Sequence, residues 1–139
     1  MNKLEIFDAT CAKVLSRLYE QFPLEIDEFR DQELELFNPQ SISEENNIKR
    51  EIVGNSIAFL KKNGYINYYG WGDSDTGIPK KGMVLTAKGL EKLRTSPDGI
   101  VDDGKDIGST LTDRVKGLSN LTVDEVLKNL VKGFFTGGV

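Results

Sequence analysis

Apolar residues near the start of the chain fall at Leu4, Phe7, Cys11, Val14, Leu15, Leu18 and Phe22. Steps of three and four lay such positions on one face of a helix, and Pro23 stops it. "LEIDEF" (24–29) alternates apolar and acidic residues as a short half-buried strand does. "RDQELELFNPQS" fits a brief helix or a loop, and Asn38-Pro39 marks a turn. A second helix opens near Ser41 or Ser43, with Ser41 and Glu44 spaced as a capping box. It continues through Ile48, Ile52, Val53, Ile57, Phe59 and Leu60 to the terminator Asn63-Gly64. Arg50, Glu51, Gly54, Asn55, Ala58, Lys61 and Lys62 are expected on its outer half.

Downstream, the aromatic-rich "YINYYGWG" (65–72) and "MVLT" (83–86) predict two strands around a polar, glycine-spaced loop. Gly72, Gly77 and Gly82 permit the turns of that hairpin. Thr86 caps a short helix in "AKGLEKLRTS". Residues 96–109, rich in glycine and aspartate, read as a linker after a domain of residues 1–95. Residues 110–135 read as an amphipathic helical region, and 136–139 as a frayed end. Thr122 and Glu125 are spaced as a capping box for a helix carrying Val123, Val126, Leu127, Leu130, Val131 and Phe134. Placed outside the apparent domain, that stripe needs a surface, since each such side chain gains about 1.5–3 kcal/mol on burial. Its own domain, a second copy or another protein can supply one, and self-association through 110–135 is the expectation.

Composition narrows the chemistry. The 139 residues carry a net charge of −4, no histidine and one cysteine, with a pI of about 4.9. A broadly nucleic-acid-coating protein would be basic, although a local basic patch is compatible with an acidic body. The lone Cys11 sits in an apolar pattern and reads as a buried small hydrophobe, and the absence of an internal disulfide suits a cytoplasmic location. Without histidine the commonest general base and zinc ligand are missing. No catalytic motif and no cofactor motif stands out, and an enzyme is not expected. No run approaches the roughly 18 apolar residues of a membrane span.

The predicted fold class is mainly α with a small antiparallel β-hairpin, an α+β arrangement. A helix ending in Asn-Gly, then strand, polar loop, strand and helix is the order of the second half of a winged helix. "AFLKKNGYI" (58–66) and "VLTAKGLEKL" (84–93) resemble the end of the recognition helix and the second wing strand of the bacterial winged helix-turn-helix superfamily. The chain is also similar to short uncharacterised winged-helix proteins of bacteria and their mobile elements. The resemblance covers residues 43–94 and extends to the first helix, whereas residues 24–42 give no clear middle helix.

The resemblance implies a small regulator that binds double-stranded DNA as an oligomer, with the long helix in the major groove and the hairpin on the backbone. The contacts it implies are Asn46, Asn47, Lys49, Arg50, Asn55 and Lys61 on the helix and Lys80 and Lys81 at the wing. Asparagine and arginine pair with base edges, and lysine neutralises phosphate. The local charge is only weakly positive, so a non-catalytic protein-interaction module on the same scaffold is the alternative. Tyr65, Tyr68, Tyr69 and Trp71 read as strand residues packing on the core rather than as a base-stacking platform.

Overall fold

The structure, a computed structural model, describes residues 1–70, 79–96, 104–116 and 123–136. Helix α1 spans Lys3–Gln21 and starts at a capping box that the hydrophobic pattern did not announce. Asn2 Oδ1 accepts from the Glu5 amide at 2.8 Å, and Glu5 Oε1 accepts from the Asn2 amide at 2.9 Å. Strand β1 (Ile26–Phe29) follows, then a single 3-10 turn, η1 (Asp31–Leu34), where a middle helix would stand. Helix α2 covers Glu44–Lys62. Strands β2 (Ile66–Tyr69) and β3 (Lys80–Leu85) and helix α3 (Ala87–Leu93) come next, then α4 (Ile107–Lys116) and α5 (Glu125–Thr136).

The fold is mainly helical with one small antiparallel sheet. Its strand order is β1-β3-β2. β3 pairs with β2 as a hairpin, Ile66 opposite Leu85, and on its other edge with β1, Ile26 opposite Met83. β1 therefore extends the expected hairpin to three strands. It buries Ile26 and Phe29 while Asp27 and Glu28 face solvent, and Leu24 lies outside the strand.

Local chemistry sets the helix ends. Ser43, not Ser41, caps α2, accepting from the Asn46 amide at 3.2 Å. The third helical residue is then Asn46 instead of Glu44, and no Ser41–Glu44 box forms. Thr86 caps α3 as expected, accepting from the Gly89 amide at 3.1 Å. A Cβ on Gly89 would lie 2.1 Å from the Tyr65 carbonyl oxygen, so only glycine lets α3 lie this close to β2. Asp124 Oδ1 accepts from the Leu127 amide at the start of α5. Thr122, Trp71, Gly72 and Gly77 lie outside the described residues.

The C-terminal helices belong to the main core. Ile107 and Leu111 of α4 and Leu127, Leu130, Val131 and Phe134 of α5 share one buried cluster with Val14, Leu15 and Leu18 of α1. α4 begins inside the expected linker: Ile107 is fully buried, and its amide donates to the Thr95 carbonyl at 2.9 Å. Tyr19 of α1 donates from Oη to Asp106 Oδ2 at 2.7 Å. Gly108 lies beneath the same ring, where a Cβ would come within 2.6–2.7 Å of three ring carbons.

These contacts correct the expectation for the α5 stripe. Leu127, Leu130, Val131 and Phe134 are buried against their own chain, and Val123 is half-buried. Val126 alone among the six is exposed. Amphipathicity correctly showed that α5 needs a cover. The cover is intramolecular, because the linker ends soon enough for α4 to reach α1.

Candidate interaction surface

On α2, two apolar sectors serve different purposes. Val53, Ile57 and Leu60 are fully buried, whereas Ile48 and Phe59 are 42% and 43% exposed. At 100° per residue the arc Val53-Ile57-Leu60 and the arc Ile48-Ile52-Phe59 are centred roughly 130° apart. A single core-facing stripe does not spread that far. Gly54 and Ala58, expected on the outer half, are buried instead.

The eight predicted DNA contacts separate by environment. Asn46 is buried, and its side chain is consumed by the chain leading into α2. Its Oδ1 accepts from the Asn38 amide at 2.8 Å, while Nδ2 donates to the Asn38 and Ser41 carbonyls. Lys80 is buried as well, its Nζ 2.7 Å from Asp31 Oδ1. Both assignments are corrected: these side chains hold loops and are inaccessible to a base or a phosphate. Asn46 was legible only as a helix-face residue because its partners lie upstream of the helix.

The remaining six are accessible to different degrees. Arg50 donates to Asn47 Oδ1 at 2.9 Å and to the Pro39 carbonyl at 3.3 Å, and lies over the Phe37 ring. Lys49 pairs with Glu45 at 3.7 Å. Lys61 rests its ammonium 4.3 Å from the centre of the Tyr68 ring. Lys81 is exposed and pairs with Glu28 at 3.2 Å; that hydrogen bond and the lysine charge hold the Glu28 carboxyl below its ordinary value. Asn47 and Asn55 are exposed. The structure thus gathers Asn47, Lys49, Arg50 and Asn55 along α2, while Lys81 stands on the sheet beside an acid.

The outer face is mixed in charge. The exposed α2 residues are Glu44, Glu45, Asn47, Ile48, Glu51, Asn55, Phe59 and Lys62. Glu44, Glu45 and Glu51 are met by exposed Lys62 and by Lys49, whose side chain is 36% exposed and pairs with Glu45, so this face carries little net charge.

An apolar patch borders that face. Leu4 of α1 is 74% exposed and sits with Phe7, Ile52 and Phe59 around a shallow hollow of about 270 Å³. On the other side of α1, Leu4, Phe7, Val131 and Phe135 line a second hollow of about 430 Å³ together with Lys128 and Lys132. Phe7, Phe59 and Phe135 form a three-ring cluster, with centroids 5.5–5.8 Å apart, that floors the patch. Asp8 at its margin has its carboxyl pushed up by partial burial and by Glu5, against the pull of Lys128. The sequence pattern placed Leu4 and Phe7 on the one apolar face of α1, and Ile48 and Phe59 on the same apolar face of α2 as Val53 and Ile57. The signal that separates them is the double apolar arc of α2.

Other chemistry is sparse. Burial raises the Cys11 thiol well above its ordinary value, so it carries no thiolate. Among the described residues no cluster of three histidine, cysteine or carboxylate side chains could hold a metal ion. No described helix is long and apolar enough to cross a membrane. Comparison with known proteins finds no matching family model, no matching curated protein and no matching solved structure.

Proposed function

We propose that this chain is a non-catalytic interaction module on a winged-helix scaffold, working in the cytoplasm through protein contact instead of through DNA. The order helix, strand, turn, long helix and hairpin supports the scaffold reading, with β1 completing a sheet of order β1-β3-β2. The observation that carries the functional reading is the outer side of α2. It offers two large apolar side chains and no net excess of cations where a groove-reading helix needs one. Apolar patches of this kind, rimmed by polar residues, mark protein-binding surfaces.

Two measurements test the reading. A photo-crosslinking residue replacing Ile48 forms protein adducts in the cell that makes the chain, and one replacing the exposed Gln32 does not. Duplex DNA titrated with the purified protein binds weakly, and the binding is unaffected by Lys81→Glu. The proposal falls if position 48 yields no adduct, or if DNA binds tightly with a steep salt dependence that Lys81→Glu and Lys62→Glu abolish.

A further inference from the structure

We propose that the groove between α1, η1 and α4 binds a free aliphatic α-amino acid, holding its carboxylate at Lys13 and its ammonium at Glu35. The site is separate from the apolar patch and does not depend on the protein-contact reading. At 100° per residue Lys13 and Arg17 leave α1 on the side opposite Leu4. The groove encloses about 340 Å³, within the roughly 300–1,000 Å³ of small-molecule sites. Lys13 and Arg17 line it from α1, Glu33, Leu34 and Glu35 from η1 and its end, and Val115 from α4.

Two charge pairs at the groove are closed. Arg17 Nη1 lies 2.9 Å from Glu33 Oε1, and Lys116 Nζ lies 3.0 Å from Glu20 Oε2. A third is open. Lys13 is half-buried and its Nζ donates to the Leu34 carbonyl at 2.6 Å, which leaves two of its three N–H groups to other acceptors. Burial pushes the Lys13 ammonium below its ordinary value and the Glu35 charge pulls the other way, so the two side chains feel each other. They nevertheless make no direct ion pair. The backbone of Glu35 adds a second observation. Its φ of 57° lies in the left-handed region at the end of η1, where glycine or asparagine is usual. Glycine would make that turn with less strain, whereas glutamate brings an exposed carboxylate to the groove.

These features select the ligand. A lone anion would meet Glu20, Glu33 and Glu35, and a lone cation would meet Lys13 and Arg17. A molecule with one charge of each sign satisfies both open groups. Lys13 is bonded to residue 34 and Glu35 is the next residue, so the open charges stand one residue apart. That spacing suits the adjacent charges of an α-amino acid and not the distant termini of a peptide. Leu34 and Val115 offer its side chain an apolar wall.

Titration calorimetry on the full chain with L-alanine, L-valine and L-leucine, each up to about 10 mM, tests the proposal, with far-ultraviolet circular dichroism as a folding control. L-Valine or L-leucine is expected to bind. Two analogues, 4-methylpentanoate without the ammonium and 3-methylbutylamine without the carboxylate, should bind about tenfold or more weakly. Lys13→Met and Glu35→Gly should each weaken amino-acid binding by about tenfold or more. Glu35→Gly removes the carboxylate and relaxes the left-handed backbone together, so its thermal midpoint should stay near that of the wild type while binding falls. It decides the matter even if Lys13→Met misfolds. No binding of any of the three amino acids, equal binding of the single-charge analogues, or binding that survives Glu35→Gly would each overturn the proposal.

Discussion

Lys80 Nζ stands 2.7 Å from Asp31 Oδ1, with the two side chains 3% and 1% exposed. The pair ties the first residue of β3 to the 3-10 turn after β1, and so anchors the loop end of the hairpin to the body. Lys80 also lies over the Tyr68 ring at 5.6 Å. Asp31→Asn or Lys80→Met leaves one buried charge without its counterpart. Each is expected to cost about 3–5 kcal/mol, read from urea unfolding midpoints. The double variant Asp31→Leu/Lys80→Met should recover most of that loss. Single variants within about 0.5 kcal/mol of wild type would show that the pair does not hold the hairpin.

Gly108 sets how closely α4 approaches α1. Gly108→Ala places a methyl group against a Tyr19 ring that Asp106 holds in position. A loss of about 1–3 kcal/mol is expected from overpacking. Tyr19→Ala in the same chain should make the glycine substitution nearly neutral, a coupling that a double-mutant cycle measures. Additive losses would mean that α4 does not rest on this ring.

The Tyr19–Asp106 bond also predicts a pH dependence. Burial pushes the Asp106 carboxyl up, but the Tyr19 hydroxyl and Ser109 more than offset it and hold it below 3.8. Burial and the Asp106 carboxylate together raise Tyr19 above 10.0. A depressed acid stabilises the fold above its unfolded value, and that contribution is lost as pH falls through the folded one. A raised tyrosine stabilises below its unfolded value, and the benefit is lost as pH rises through the folded one. Tyr19→Phe should therefore cost most between about pH 4 and 10 and progressively less at either extreme. Denaturation of both proteins across that range checks it, and a difference constant with pH would refute the assignment.

Residues beyond Arg94 complete the core, which gives a truncation experiment a definite outcome. A chain stopped at Arg94 loses Ile107, Leu111, Leu127, Leu130 and Phe134 from the cluster around α1. It should lose cooperative unfolding and bind hydrophobic dyes, not give a tidy monomer. Phe134→Ala, which removes a ring 4.8 Å from Tyr65, should cost about 3–5 kcal/mol in the full chain. A folded, cooperative 1–94 fragment would contradict the packing described.

Periodicity located α1, α2 and α5 because each carries a long apolar stripe, while Thr86 marked the start of α3 and Asn63-Gly64 the end of α2 by local chemistry alone. The fate of those stripes was less legible. Whether Leu127 meets Leu15 or a second molecule depends on where residues 104–109 carry the chain, and composition does not encode that path. Asn46 and Lys80 looked like surface groups because their partners, Asn38 and Asp31, are distant in sequence or unremarkable beside them. The apolar patch was readable in principle. Ile48 and Phe59 lie too far around α2 from Ile57 to share its burial, but treating one broad stripe as one face hid them.

Helix α1 is covered partly by residues made much later, those of α4 and α5. During synthesis the flank of α1 that receives α4 and α5 stays bare until Phe134 has cleared the ribosomal exit tunnel. The α1 flank therefore stays uncovered from the synthesis of α1 until that of α5, and any chaperone contact it needs falls in that interval.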